Sequence, residues 1–133
     1  MNHTNTFPKA THLCGEKRIA RLFVEGKAFM AYPLRVVYIF SELDEKSPVS
    51  VMVSVPKKRF KRAVKRNLLK RRMREAYRLN NQVLLDAAAL YGLQLHVAFN
   101  YISNDVLEFT DIEKKMKQAI QKLVDSMVAR ECN

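Results

Sequence analysis

Tryptophan is absent from this chain, cysteine occurs twice, and apolar residues never run long enough to cross a bilayer. A membrane-spanning helix needs about 20 consecutive apolar residues, so none is expected. The first residues, MNHTNTFPKATHLCGEKR, lack the apolar stretch of a secretory signal, and cytoplasmic residence is the expectation. Cys14 and Cys132 stand near opposite ends and form no C-x-x-C pair, which reads as two free thiols in a reducing compartment. A zinc site would need two more soft ligands at short spacing, and His3, His12 and His96 do not supply them. The acids do not converge with histidines either. Glu42, Asp44 and Glu45 fall in a turn, Asp111, Glu113 and Asp125 in a final helix, and Asp105 and Glu108 in a loop without a histidine partner. No catalytic residue and no metal site on the protein are therefore expected.

Acids are scarce above all between Lys57 and Arg78, KKRFKRAVKRNLLKRRMREAYR. This stretch holds 12 of the 24 Lys and Arg residues but, in Glu75, one of the 13 acids. The remainder carries 12 of each sign and is formally neutral, so the whole charge of +11 originates here. A field so localised calls for a polyanion. A merely solvated face does not fit the neutrality of the rest. An anionic membrane surface fits poorly, because the apolar side of the stretch has no Trp and one large aromatic, Tyr77. A DNA-binding basic region would be followed by a zipper or a second helix of a helix-turn-helix, and neither follows. RNA is the favoured partner, since shape and phosphate readout suits a small α+β domain.

The apolar fraction of 48% supports a folded chain, and 133 residues suit one domain over 1–133, with residues 1–13 extended or flexible. Gly15 to Glu25 reads as a short helix with Ile19, Leu22 and Phe23 on one face, stopped by Gly26. Strands are expected at Lys27 to Ala31, Leu34 to Phe40 and Val49 to Val55, as an antiparallel meander of two or three strands with turns at Tyr32-Pro33 and Ser41 to Pro48. A helix is predicted from about Phe60 to Leu79, its apolar residues Val64, Leu68, Leu69, Met73, Ala76 and Tyr77 docking on the sheet. A helical piece over Gln82 to Tyr91 closes at Gly92. Leu93 to Tyr101 alternates as a strand with one apolar face. Thr110-Asp-Ile-Glu113 has capping-box spacing and opens a final helix. The order is α-β-β-β-α-β-α, an α+β sandwich around a mostly antiparallel sheet.

On the basic helix, Arg62, Arg66, Lys70, Arg74 and Arg78 recur at steps of four, and each step drifts about 40°. The row winds, as a sugar–phosphate backbone winds, and Lys65, Arg71 and Arg72 widen it. Arginine favours bidentate phosphate contacts. Asn67 sits among the cations as either a base or ribose contact or a plain surface residue.

These residues also resemble a known signature. Val53-Ser-Val-Pro-Lys-Lys58, then Ala63-Val64-x-Arg66-Asn67-x-x-Lys70-Arg71-x-x-Arg74-Glu75-x-Tyr77-Arg78, is similar to the strand, paired lysines and basic helix of the bacterial ribonuclease P protein family. The resemblance implies a left-handed crossover between the last two strands. It implies binding to a catalytic RNA subunit and to precursor tRNA, whose 5′ leader the holoenzyme removes, with Mg²⁺ used by the RNA. No membrane and no obligate protein partner are implied. Lys57, Lys58, Arg66, Asn67, Lys70, Arg71 and Arg74 match the family's RNA-subunit contacts, joined by Arg62 and Lys65 from the basic row. Phe23, Val36, Tyr38 and Ser54 match a leader-binding cleft. Ile19 stands there where the family usually has Phe, and Leu68 where it often has a third cation. The residues by themselves leave Phe23 and Tyr38 open between base stacking and core packing. A structural RNA-binding protein and a protein nuclease acting alone are the competing functions.

Overall fold

A computed structural model describes residues 25–42 and 49–132. Strands β1 (Lys27–Ala31), β2 (Leu34–Glu42) and β3 (Val49–Ser54) are followed by helices α1 (Ala63–Asn80) and α2 (Gln82–Tyr91), strand β4 (Leu93–Tyr101) and helix α3 (Phe109–Cys132). The helix expected over Gly15 to Glu25 lies outside the described residues except for Glu25.

One four-stranded sheet has the order β1-β2-β4-β3. The predicted meander is therefore corrected at its third strand. β4 pairs antiparallel with β2 along its full length, from Leu34 opposite Tyr101 to Glu42 opposite Leu93. It separates β2 from β3, and β3 lies parallel to β4, Val49 opposite Leu95 and Ser54 opposite Asn100. The alternation in β4 suggested one wet face. Instead Gln94, His96 and Ala98 are buried along with Leu95, Val97 and Phe99, in a central strand flanked by β2 and β3. Hydrophobic alternation reports which side a residue faces but not which strand lies alongside.

The helices cover the face that carries Val36, Tyr38, Val51, Leu95, Val97 and Phe99. Leu69, Met73, Ala76 and Tyr77 reach it from α1, and Leu84 and Ala88 from α2. Ile112, Met116, Ala119, Ile120, Leu123 and Met127 of α3 are at most 2% exposed. Burying a side chain of this size stabilises by about 1.5–3 kcal/mol. Thr110 is already inside α3, which begins at Phe109 with Ile112 N donating to Glu108 O at 3.1 Å. The capping-box reading thus places the start slightly late. Asn80 Nδ2 bridges α1 to α3, donating to Ala76 O at 2.8 Å and to Glu113 Oε2 at 3.1 Å. Gly92 ends α2 at φ 64°, a left-handed conformation that lets the chain turn directly into β4.

Candidate nucleic-acid interface

Helix α1 is anchored by one face and open on the other. The ring of Tyr77 lies 5.9 Å from that of Phe99, and burial pushes its phenol well above the ordinary value. Val64 was expected to dock with this inner face, but it is 78% exposed, and Leu68 is half-buried. At about 100° per residue Val64 points roughly opposite to Met73. A spacing of three or four residues alone does not separate these two faces.

The same rotation separates the cations. Arg62, Lys65, Asn67, Arg71 and Arg74 are exposed, as are Lys57 and Lys58 in the segment leading to the helix. Lys70 is half-buried. Arg66 is turned inward: its Nη1 donates to Phe60 O and Lys61 O, each at 2.8 Å. Arg72 Nη1 donates to Leu107 O, and Arg59 Nη1 to Asn104 Oδ1 at 2.9 Å. The 102–108 loop they grip is itself wrapped on Tyr101, whose hydroxyl donates to Asp105 O at 2.6 Å and accepts from Leu107 N at 3.2 Å. Burial raises the Tyr101 pKa. These arginines hold backbone in place. Their partners are carbonyls and an amide brought near by folding, so no pattern in the sequence announces them.

Arg78 is held by Glu75, with Nε donating to Oε1 at 2.9 Å and Nη2 to Oε2. The paired carboxylate raises the Arg78 pKa. The winding row thus divides by role: Arg62 and Arg74 face outward, Arg66 and Arg78 are engaged within the chain, and Lys70 lies between. The first turn of α1 carries no acid, and its N-cap, Arg62, makes no side-chain cap bond. Lys57, Lys58, Arg62 and Lys65 are exposed along the segment that leads into α1 and its first turn, a stretch whose charge suits anions.

A surface hollow of about 560 Å³ lies along the outer side of α1. Val64, Asn67 and Leu68 form one end, Arg71 the middle, and Arg74 with the Glu75–Arg78 pair the other end.

The expected leader residues are placed apart. Val36 is fully buried and Tyr38 8% exposed, both on the helix-covered face. Tyr38 packs edge-on against Phe29 and Phe40, at 5.8 and 5.3 Å, and its hydroxyl is 3.4 Å from Ser126 Oγ. A small hollow of about 100 Å³ beside it is lined by Lys27, Phe40 and Arg130 among others. Ser54 is half-buried in the register row Met30–Arg35–Asn100–Ser54, on the opposite side of the sheet. Ile19 and Phe23 lie outside the described residues. Sequence reading passed over Arg35 and Tyr32. Both are exposed at the end of the sheet where β3 leads to the paired lysines, Tyr32 by 56%. An aromatic and an arginine flanking a turn are the available signal, but a weak one.

Among the described residues no group of three or more His, Cys, Asp or Glu side chains could hold a metal ion, and no helix is long and apolar enough to cross a membrane.

The chain matches the Ribonuclease P family over residues 7–124. It is 40% identical over 119 residues to the ribonuclease P protein component of Porphyromonas gingivalis, covering 90% of this chain and 87% of that one. It is 39% identical over 108 residues to the ribonuclease P protein component of Chlorobium phaeobacteroides, covering 75% and 74%. The fold is that of the Staphylococcus aureus RNase P protein, with a TM-score of 0.64 at 19% identity over 86% of this chain and 95% of the other. The motif of paired lysines and basic helix, the α+β sandwich and these likenesses agree: the chain belongs to the ribonuclease P protein component family.

Proposed function

We propose that this chain is the RNA-binding subunit of a ribonuclease P in which the RNA carries the chemistry, and that it assists removal of 5′ leaders from precursor tRNA. The observation that carries this reading is the division of α1. Its inner face is committed to the core, while Lys65, Asn67, Arg71 and Arg74, with Arg62, Lys57 and Lys58, stand in solvent within the source of the protein's excess charge. These cations offset phosphate repulsion between the RNA subunit and the precursor, and Arg71 and Arg74 grip phosphates.

Leader contact is assigned to the Tyr38 end of β2, with Phe23 as the stacking partner expected from sequence. Lys27 and Arg130 border the small hollow there and can neutralise a phosphate. Val36 supports Tyr38 from within the core. Ser54 belongs instead to the opposite side of the sheet, with Arg35 and Asn100 as polar company. A protein that holds both the RNA subunit and the leader distinguishes precursor from mature tRNA and orients the scissile phosphate. Mg²⁺ supplies nucleophile activation and charge stabilisation when bound. In this reading the metal belongs to the RNA.

Reconstitution tests this. Purified protein alone is expected not to cleave precursor tRNA, and to enhance cleavage when added to its RNA subunit in Mg²⁺ at low salt. Cleavage without RNA would favour a protein nuclease. Binding without enhancement would favour a purely structural RNA-binding role.

A further inference from the structure

The hollow on the outer side of α1 is not a simple phosphate groove. Its apolar end is formed by Val64, 78% exposed, and by half-buried Leu68, neither of which the core uses fully. Its other end contains a carboxylate, Glu75, which would repel a phosphate were it not bound to Arg78. The exposed guanidiniums of Arg71 and Arg74 lie between and beside these ends.

An apolar pair that flanks an amide, with cations on the next two turns, offers a surface for a base, a partner for its edge and a charge for its phosphate. The geometry points to a site for one unstacked nucleobase of the RNA partner, its flat face on Val64 and Leu68, its edge at Asn67 and its phosphate on Arg71 or Arg74. The inference rests on the reading of α1 as an RNA-binding helix and adds to it a base contact in place of phosphate contact alone.

Scale supports the assignment. The hollow, at about 560 Å³, falls in the range of small-molecule sites, about 300–1,000 Å³. Leu68 and Arg71 are separated by about 4.5 Å along the helix axis, and Leu68 and Arg74 by about 9 Å. Those separations bracket the reach from a base to its own and the neighbouring phosphate. Asn67 offers both a carbonyl and an amino group, so it can donate and accept at one base edge. Unpaired bases in loops and bulges are what proteins read in RNA, because the deep groove of a duplex is closed to side chains. The cationic rim sets the polarity of the occupant: an apolar side chain of another protein would leave Arg71 and Arg74 without a counter-charge.

Binding of the full chain to ribonuclease P RNA tests the assignment, with the fold of each variant checked by circular dichroism. Leu68→Ala and Val64→Ser each remove apolar surface from the base and are each expected to raise Kd by about five- to tenfold. Neither should change the slope of log K against log salt, since neither removes a charge. Both should expose to base-specific probes one nucleotide that the wild-type complex protects. Val64 lies outside the core, so its substitution leaves the fold intact. A Kd within twofold of wild type for both variants, or no newly reactive base, overturns the proposal. Tighter binding by Leu68→Lys also overturns it, because backbone phosphate would then be passing over the hollow. Arg71→Ala and Arg74→Ala separate the two readings. A reduced salt slope in them, with the apolar variants silent, removes only the base site. An unchanged slope in them removes the RNA-binding role of the helix itself.

Discussion

Helices α1 and α3 lie against one another over the same face of the sheet, and both bury a full apolar stripe, yet their outer sides differ in kind. Along α3, FTDIEKKMKQAIQKLVDSMVAREC, cations and acids are mixed in near-equal numbers, and Gln121 donates to Asp125 one turn on at 2.9 Å. Lys122 lies 5.2 Å from the centre of the Phe29 ring. Such a side is at rest in water. Along α1, AVKRNLLKRRMREAYRLN, a single acid faces a crowd of cations whose mutual repulsion costs a few tenths of a kcal/mol per neighbouring pair. The inner stripe of a helix reports its core. The signs on its other side report whether the helix awaits a partner.

The comparison breaks most visibly if the two inner faces are unequal. Met73→Ala in α1 and Met116→Ala in α3 each remove a fully buried side chain, and each is expected to lower unfolding free energy by about 2–5 kcal/mol in denaturant titrations. A silent Met73 variant would mean that α1 is not anchored as described. The outer faces should then part company. Replacing Arg71 and Arg74 together by Ala is expected to lower the slope of log K against log salt for RNA binding by up to about two, whereas replacing exposed Lys114 and Lys117 should leave it unchanged. Equal losses would make the charge of α1 a general attraction without a contact surface. The smallest effect sharpens the boundary between the faces. Arg66→Ala forfeits the bonds to Phe60 O and Lys61 O and is expected to cost about 1 kcal/mol of stability, reduced by partial exposure, with a smaller change in salt slope than Arg71→Ala. A full unit of slope lost with stability intact would assign Arg66 to phosphate after all.

Much of this architecture is written locally. The limits of α2 and β4 follow from a glycine stop and strict alternation, both properties of a few neighbouring residues. The start of α1 moved from Phe60 to Ala63 because Pro56 O takes the N–H groups of Arg59 and Phe60 in a turn, at 3.2 and 3.4 Å. Strand order was not legible, since β3 can pair with β2 or with β4 without changing which side its valines face. In the interface, the density of cations was plain and their division of labour was not. Arg59, Arg66 and Arg72 differ from Arg71 and Arg74 in what folding brings beside them, and one-dimensional spacing cannot distinguish a bound guanidinium from an idle one. Val36, Tyr38 and Ser54 show the same limit: a cleft assembled from matching positions is divided by the pleat between two sides of one sheet.

The placement of the basic helix within the chain path has a thermodynamic consequence. β3 and β4 are parallel neighbours, and the path from one to the other runs through α1 and α2 and returns at Gly92. Whatever clasps α1 therefore clasps the stitch that joins two strands of the sheet. A ligand that binds only the folded chain raises its stability by RT ln(1 + [L]/Kd), about 2.7 kcal/mol at a hundredfold excess over Kd. Here that gain extends beyond the helix, because Leu69, Met73, Ala76 and Tyr77 tie α1 into the core it shares with the sheet. A polyanion bound to α1 is expected to raise the melting temperature of the sheet along with that of the helix.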